Sequence, residues 1–209
     1  LIYALPDQSL SKWQETLREA VALDVPHISL YALSIEPNSL YGRKQVQKAD
    51  DELEADEYEW AIAFLTEHGY RQYEVSNFAK AGYESRHNLA YWHYDDFYGI
   101  GCGASGKEKH IRYDNERNLM AYLKGMRAKE TITLSKEEEM FEFLMMGLRL
   151  CDGISLSVFE NRFACSFFDV YQEAYAKLSA QGLLVKEGDR IKTTSQGLHL
   201  LHEVLLALM

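Results

Sequence analysis

His27-Ile-Ser-Leu-Tyr-Ala-Leu33 is an apolar run of strand length, and what stands on either side of it decides the fold class. Upstream, Ser9 is placed to cap a helix whose Leu10, Trp13, Leu17 and Val21 recur on one face. Before that helix, Leu1-Ile-Tyr-Ala-Leu5 is another short apolar run, closed by Pro6. Downstream, past a loop with Pro37 and Asn38, the interval from Asp51 to His68 carries Leu53, Trp60, Ala61, Phe64 and Leu65 on one side. Gly69 ends it as a C-terminal capping residue, and Tyr70–Val75 reads as a third strand. Strands alternating with helices of this length predict right-handed βαβ units on a parallel sheet, an α/β fold.

Beyond residue 79 the pattern changes. Residues 79–97 hold many aromatics (Tyr83, Tyr91, Trp92, Tyr94, Phe97) and few helix signals, so an irregular segment is expected. Tyr98-Gly-Ile-Gly-Cys-Gly-Ala-Ser-Gly106 follows, and its glycines imply tight turns or close backbone approach, to a neighbouring strand or to a ligand. A phosphate loop is disfavoured, since no Gly-Lys-Ser/Thr follows. Asn118–Met126 reads as helical, with Leu119, Tyr122, Leu123 and Met126 in register. Ser135 and Glu138 form a capping box before a helix that buries Phe141, Leu144, Met145 and Leu148. Helical patterns at 156–163 and 168–181 precede a strand–turn–strand at 182–194, and Ser195 caps a last helix. Two domains are expected: an α/β part over 1–134 and a small helical, winged-helix-like domain over 135–209.

The 209 residues carry a net charge of −10, a balance that repels phosphate backbones and argues against nucleic-acid binding. Residues 135–209 hold seven basic and eleven acidic side chains, the reverse of a DNA-reading wing. No apolar run approaches the ~18 residues that span a bilayer, and a cytoplasmic location is expected. Cys102, Cys151 and Cys165 show no paired spacing, so neither a disulfide framework nor a cubane-cluster motif is expected from them. Opening in the middle of an apolar strand, the chain reads as a fragment.

Five motifs then stand in a telling order: Leu1-Ile-Tyr-Ala-Leu-Pro6, His27-Ile-Ser-Leu-Tyr-Ala-Leu-Ser-Ile-Glu-Pro37, Gly69-Tyr-Arg-Gln-Tyr-Glu-Val-Ser-Asn-Phe-Ala79, His87-Asn-Leu-Ala-Tyr-Trp92 and Tyr98-Gly-Ile-Gly-Cys-Gly-Ala104. Across essentially the whole chain this resembles the oxygen-independent coproporphyrinogen III oxidase family of radical-SAM proteins. The His-Asn-x-x-Tyr-Trp stretch is most similar to its heme-chaperone branch. The resemblance implies the C-terminal part of a partial (β/α) barrel followed by the family's small C-terminal domain. It also implies a [4Fe–4S] cluster and S-adenosylmethionine in the full-length protein, held by a CxxxCxxC motif that this sequence lacks. Ala4 stands where the family usually has glycine, a small change within a strand.

The resemblance places Ser34 near the S-adenosylmethionine pocket, where its hydroxyl would bond the ligand; the alternative is a capping serine. Glu36 would bind an amine or ribose hydroxyl, or else pair with Arg43. Asn77, with Ser76, offers a polar group at a third strand end, where ligand contact and turn formation are both open. On the heme side, His87 is the expected axial ligand to iron, Asn88 would orient its imidazole, and Tyr91 and Trp92 would flank the porphyrin. Alternatively His87 and Asn88 tie down a loop while Tyr91 and Trp92 plug an open barrel. His199 and His202 have metal-compatible spacing but no third ligand, and a solvated helix face is the better reading. Two functions follow. One is a heme chaperone that binds heme and delivers it to a heme-accepting client. The other is an oxidase that decarboxylates coproporphyrinogen III by radical chemistry. The isolated chain is expected to be inactive.

Overall fold

The computed structural model describes residues 1–126 and 128–209, the side chains at 128 and 129 excepted. Two compact units divide at Ser85/Arg86. The first contains β1 (Ile2–Tyr3), α1 (Leu10–Ala22), β2 (His27–Ser29), β3 (Tyr31–Ala32), α2 (Leu40–Arg43), α3 (Asp51–Glu67), β4 (Arg71–Glu74) and β5 (Asn77–Ala79). Ser9 caps α1 and Asp50 caps α3, each side chain accepting a backbone N–H of the first turn. Trp13 and Leu17 of α1 and Ala61 and Leu65 of α3 are wholly buried, in one cluster with Ile28, Leu30 and Phe78.

β1 and β3 pair in parallel, as the βαβ reading requires. The rest of the expected parallel sheet is corrected. β4 turns back through Val75 and Ser76 into β5, which pairs antiparallel with both β4 and β2. A two-residue connection can join only antiparallel neighbours. The single strand expected over His27–Leu33 serves two ladders: β2 binds β5, the Leu30 N–H donates to the Ser76 carbonyl, and β3 binds β1. Ala4 is not in extended backbone. Its φ is 56°, the left-handed region where glycine is at ease, and its side chain is wholly buried.

The second unit contains α4 (Arg86–Trp92), β6 (Ser105–Glu108), β7 (Ile111–Asn115), α5 (Leu119–Leu123), β8 (Ala128–Thr133), α6 (Lys136–Gly147), β9 (Ile154–Ser155), α7 (Leu156–Phe163), α8 (Phe167–Ala180), β10 (Leu184–Glu187), β11 (Arg190–Thr193), α9 (Ser195–His199) and α10 (Leu201–Ala207). The segment expected to be irregular thus holds a helix, α4. β6, β7 and β8 form an antiparallel meander that the sequence pattern did not announce. The glycine run closes against this sheet: the Asn115 amide donates to the carbonyls of Gly99 and Gly101, each at 2.9 Å. A Cβ on Gly106 would meet the Tyr113 ring at 2.2 Å, so close strand approach is the glycine's purpose. The helix expected over Asn118–Met126 is only α5, and Leu119, Leu123 and Met126 on it and beyond it are exposed.

The capping box at Ser135 and Glu138 is present on α6. α6, β9, α7 and α8, then the β10–β11 hairpin with β9 on its far edge, give the winged arrangement expected for residues 135–209. Phe143, Phe159, Phe163, Phe167 and Tyr171 form its aromatic core, mostly edge-to-face at 4.8–6.2 Å. Thr194, not Ser195, caps the last helical region, and that region breaks at Leu200 into α9 and α10. The expected boundary at 134/135 falls inside the second compact unit, because residues 86–134 contact the helices that follow.

Candidate functional site

α4 carries all four residues expected on the heme side, and the helix sorts them by face. His87 and Tyr91, four apart, meet edge-on with ring centroids 4.9 Å apart, and Tyr91 meets Phe97 at 4.5 Å. The His87 side chain is exposed, so its imidazole is open to a ligand while one aromatic stands beside it. Asn88, the next residue along, does not share that face, because neighbours one apart on a helix point about 100° away from each other. Trp92, five residues from His87, lies on the other side. The guanidinium of Arg149 sits 4.6 Å from the centre of its indole, and its Nε1 is buried without a hydrogen-bond acceptor among the described residues.

The helix ends in a Schellman motif: the Asp95 N–H reaches the Ala90 carbonyl and the Tyr94 N–H reaches that of Tyr91. The residue that turns left-handed is Tyr94, at φ 60°, where glycine would be usual. A tyrosine there costs about 1–2 kcal/mol, and its surroundings hold it. Lys107 lies 4.0 Å from its ring centre and Arg162 4.7 Å, and its hydroxyl donates to Glu142 at 2.8 Å. Burial, then the Glu142 bond, push its hydroxyl well above the ordinary tyrosine range. Glu142 also accepts from Arg112 at 2.7 Å. Lys107 is itself buried and paired with Asp96 at 3.1 Å. Sequence reasoning missed this cluster, although Tyr94 stands only two residues past Trp92.

Next to it lies a cavity of about 370 Å³ lined by Trp92, Phe143, Leu150, Ile154, Val158, Arg162 and Arg190, among others. It joins α4 to the winged segment and was not foreseen.

In the first unit, Ser34 and Glu36 are exposed and follow β3, beside the end of its parallel partner β1. Asn77 differs. It is only 2% exposed, its Oδ1 accepts from the Ser29 hydroxyl and its Nδ2 donates to Glu74. Its amide is thereby engaged at both ends inside the β2–β5–β4 sheet. Glu74, wholly buried, also accepts from the Ser76 N–H at 2.9 Å. A second buried carboxylate, Glu57, accepts from the Ala4 N–H at 2.8 Å, and its other oxygen has no partner among the described residues. Glu57 was legible only by position: it precedes Ala61 and Leu65 by four and eight residues on the buried face of α3.

Residues 134–200 match the model of the HemN C-terminal domain. A heme chaperone HemW of Lactococcus lactis is 37% identical over 207 residues, covering 96% of this chain and 55% of that protein. A heme chaperone HemW of Escherichia coli is 35% identical over 210 residues, covering 98% and 55%. Residues 134–200 thus carry a HemN C-terminal domain, and over nearly its whole length the chain is similar to heme chaperone HemW proteins. The solved structure described as coproporphyrinogen III oxidase (HemN) from Escherichia coli, a radical SAM enzyme, superposes with a TM-score of 0.80 at 19% identity. It covers all of this chain and 53% of that one, a likeness of fold. The chain spans about half the length of the HemW relatives it matches.

The residues present do not fit an iron–sulfur cluster. Cys102 donates to the Glu116 carbonyl and Cys165 lies against the Met140 sulfur at 3.9 Å. Among the described residues no group of three or more His, Cys, Asp or Glu side chains is placed to hold a metal ion. Nor is any helix among them long and apolar enough to cross a membrane.

Proposed function

We propose that this chain is part of a HemW-type heme chaperone, which binds heme and passes it to a client protein. The observation that carries the reading is 37% identity to a heme chaperone HemW across 96% of the chain. The exposed imidazole of His87 beside the Tyr91 ring supports it, since neutral imidazole is a common axial ligand to heme iron. Trp92 acts from the opposite face of α4. In the full-length protein a [4Fe–4S] cluster and S-adenosylmethionine would serve as cofactors, and Ser34 and Glu36, exposed just past β3, would contact the latter. Asn77 holds the neighbouring strands in place. The oxidase reading rests on a likeness of fold and on the HemN C-terminal domain match over residues 134–200.

The experiment is His87→Ala in the complete protein, followed by heme titration and circular dichroism. Loss of the ferric heme Soret shift with an unchanged fold is expected. Unchanged heme affinity removes His87 as the ligand.

A further inference from the structure

We propose that the cavity between α4 and the winged segment binds the carboxylate end of a flat apolar ligand. Its wall has two kinds of surface. Trp92, Phe143, Ile154 and Val158 supply apolar area, and Arg162 and Arg190 bring guanidinium groups to the same space. Asp95 is the carboxylate that also lines it, so the two arginines outnumber it. Within a chain of net charge −10, a concavity lined by more cations than anions is a selective feature. Arg190 is oriented by donating to the carbonyls of Asp152 and Gly153, both at 3.3 Å, and Arg162 by stacking over Tyr94 at 4.7 Å. Both guanidinium groups are therefore held before any ligand arrives, and a planar fork held in place suits a carboxylate. A volume of about 370 Å³ suits a small aromatic acid or one propionate-bearing edge of a porphyrin.

Those two sources share one chemistry, and only the choice of porphyrin as a source rests on the heme reading above. The test uses the 209-residue chain and metal-free probes, so that iron ligation by His87 contributes nothing. Protoporphyrin, its dimethyl ester and 2-naphthoate are titrated separately, with quenching of tryptophan fluorescence as the readout. Saturable binding of protoporphyrin, roughly tenfold tighter than its ester, is expected if the porphyrin edge is the ligand. Naphthoate binding without a porphyrin preference for the acid assigns the cavity to small carboxylates. In either case Arg162→Gln weakens binding of the acid about tenfold and leaves the ester unchanged. Val158 is half-exposed on α7, so Val158→Glu keeps the fold and repels the acid by placing a like charge at the mouth. Equal affinity for acid and ester together with no naphthoate binding overturns the proposal. So does an acid affinity that neither substitution changes. His87→Ala leaves every one of these titrations as it was, so the two proposals fail separately.

Discussion

At the scale of single residues, Glu57 and His27 put opposite pH dependences into the first unit. Burial raises the Glu57 carboxyl above its usual range, with the Ala4 N–H partly offsetting that. A folded-state value above the unfolded one means a contribution present at low pH and lost as pH rises through the folded value. Glu57→Gln keeps an acceptor for Ala4 and removes the buried charge, so it stabilises the chain by about 1–2 kcal/mol at pH 7.5 and by less near pH 4. Urea unfolding at the two pH values measures this, and an equal shift at both contradicts it. His27 runs the other way. Burial lowers its imidazole, and its Nε2 meets the Tyr73 hydroxyl at 2.9 Å. Its contribution is present above the unfolded value and lost as pH falls through the folded one, so His27→Gln flattens the decline in urea midpoint between pH 7 and pH 5. At Ala4, glycine relieves about 1 kcal/mol of left-handed strain and forfeits about 1 kcal/mol in a buried methyl and chain entropy. Ala4→Gly therefore leaves the thermal midpoint almost unchanged, unlike most Ala→Gly changes in a core.

Among the elements, the helix caps separate local from tertiary information. Thr194 accepts from the Gly197 N–H and donates to the Gly182 carbonyl at 2.6 Å, while Ser195 is simply the first residue of α9. Thr194→Ala costs about 1–2 kcal/mol and Ser195→Ala stays within about 0.5 kcal/mol, a pair that thermal denaturation resolves. Caps at Ser9 and Ser135 were legible because the acceptor and the N–H it serves lie within one turn. The cap at Thr194 was misplaced by one residue because two hydroxyls stand side by side, and only the bond back to Gly182 selects between them. The β6–β7–β8 meander was hidden for another reason. Ser105-Gly-Lys-Glu has no apolar alternation, Ile111-Arg-Tyr-Asp-Asn alternates over only two apolar residues, and their pairing depends on partners that spacing does not name. α4 was obscured by its aromatics, although Leu89 and Ala90 favour helix. The four heme-side residues were found from their motif, but which face each takes follows from the helix, which was not expected.

On the scale of the whole chain, the compact second unit begins at Arg86, whereas the HemN C-terminal model begins at residue 134. We propose that residues 135–209 form a module with its own aromatic core and that residues 86–134 are fastened to it, through Tyr94 and Arg112 on Glu142 among other contacts. Both pieces are expected to fold when expressed, with 86–209 melting higher. A piece 135–209 without a cooperative melt overturns that division. The ladders of the two units also differ in how far apart their partners lie in sequence. β10 and β11 are joined by a tight turn, with Glu187 opposite Arg190, while Ile2 must find Tyr31 and His27 must find Ala79. Closing long loops before any contact rewards them slows folding. Although the first unit leaves the ribosome earlier, the second is the one that closes on local contacts. Stopped-flow refolding should therefore show a fast phase carried by Trp92 and a slower one carried by Trp13 and Trp60, so that this chain matures from its C-terminal half backwards.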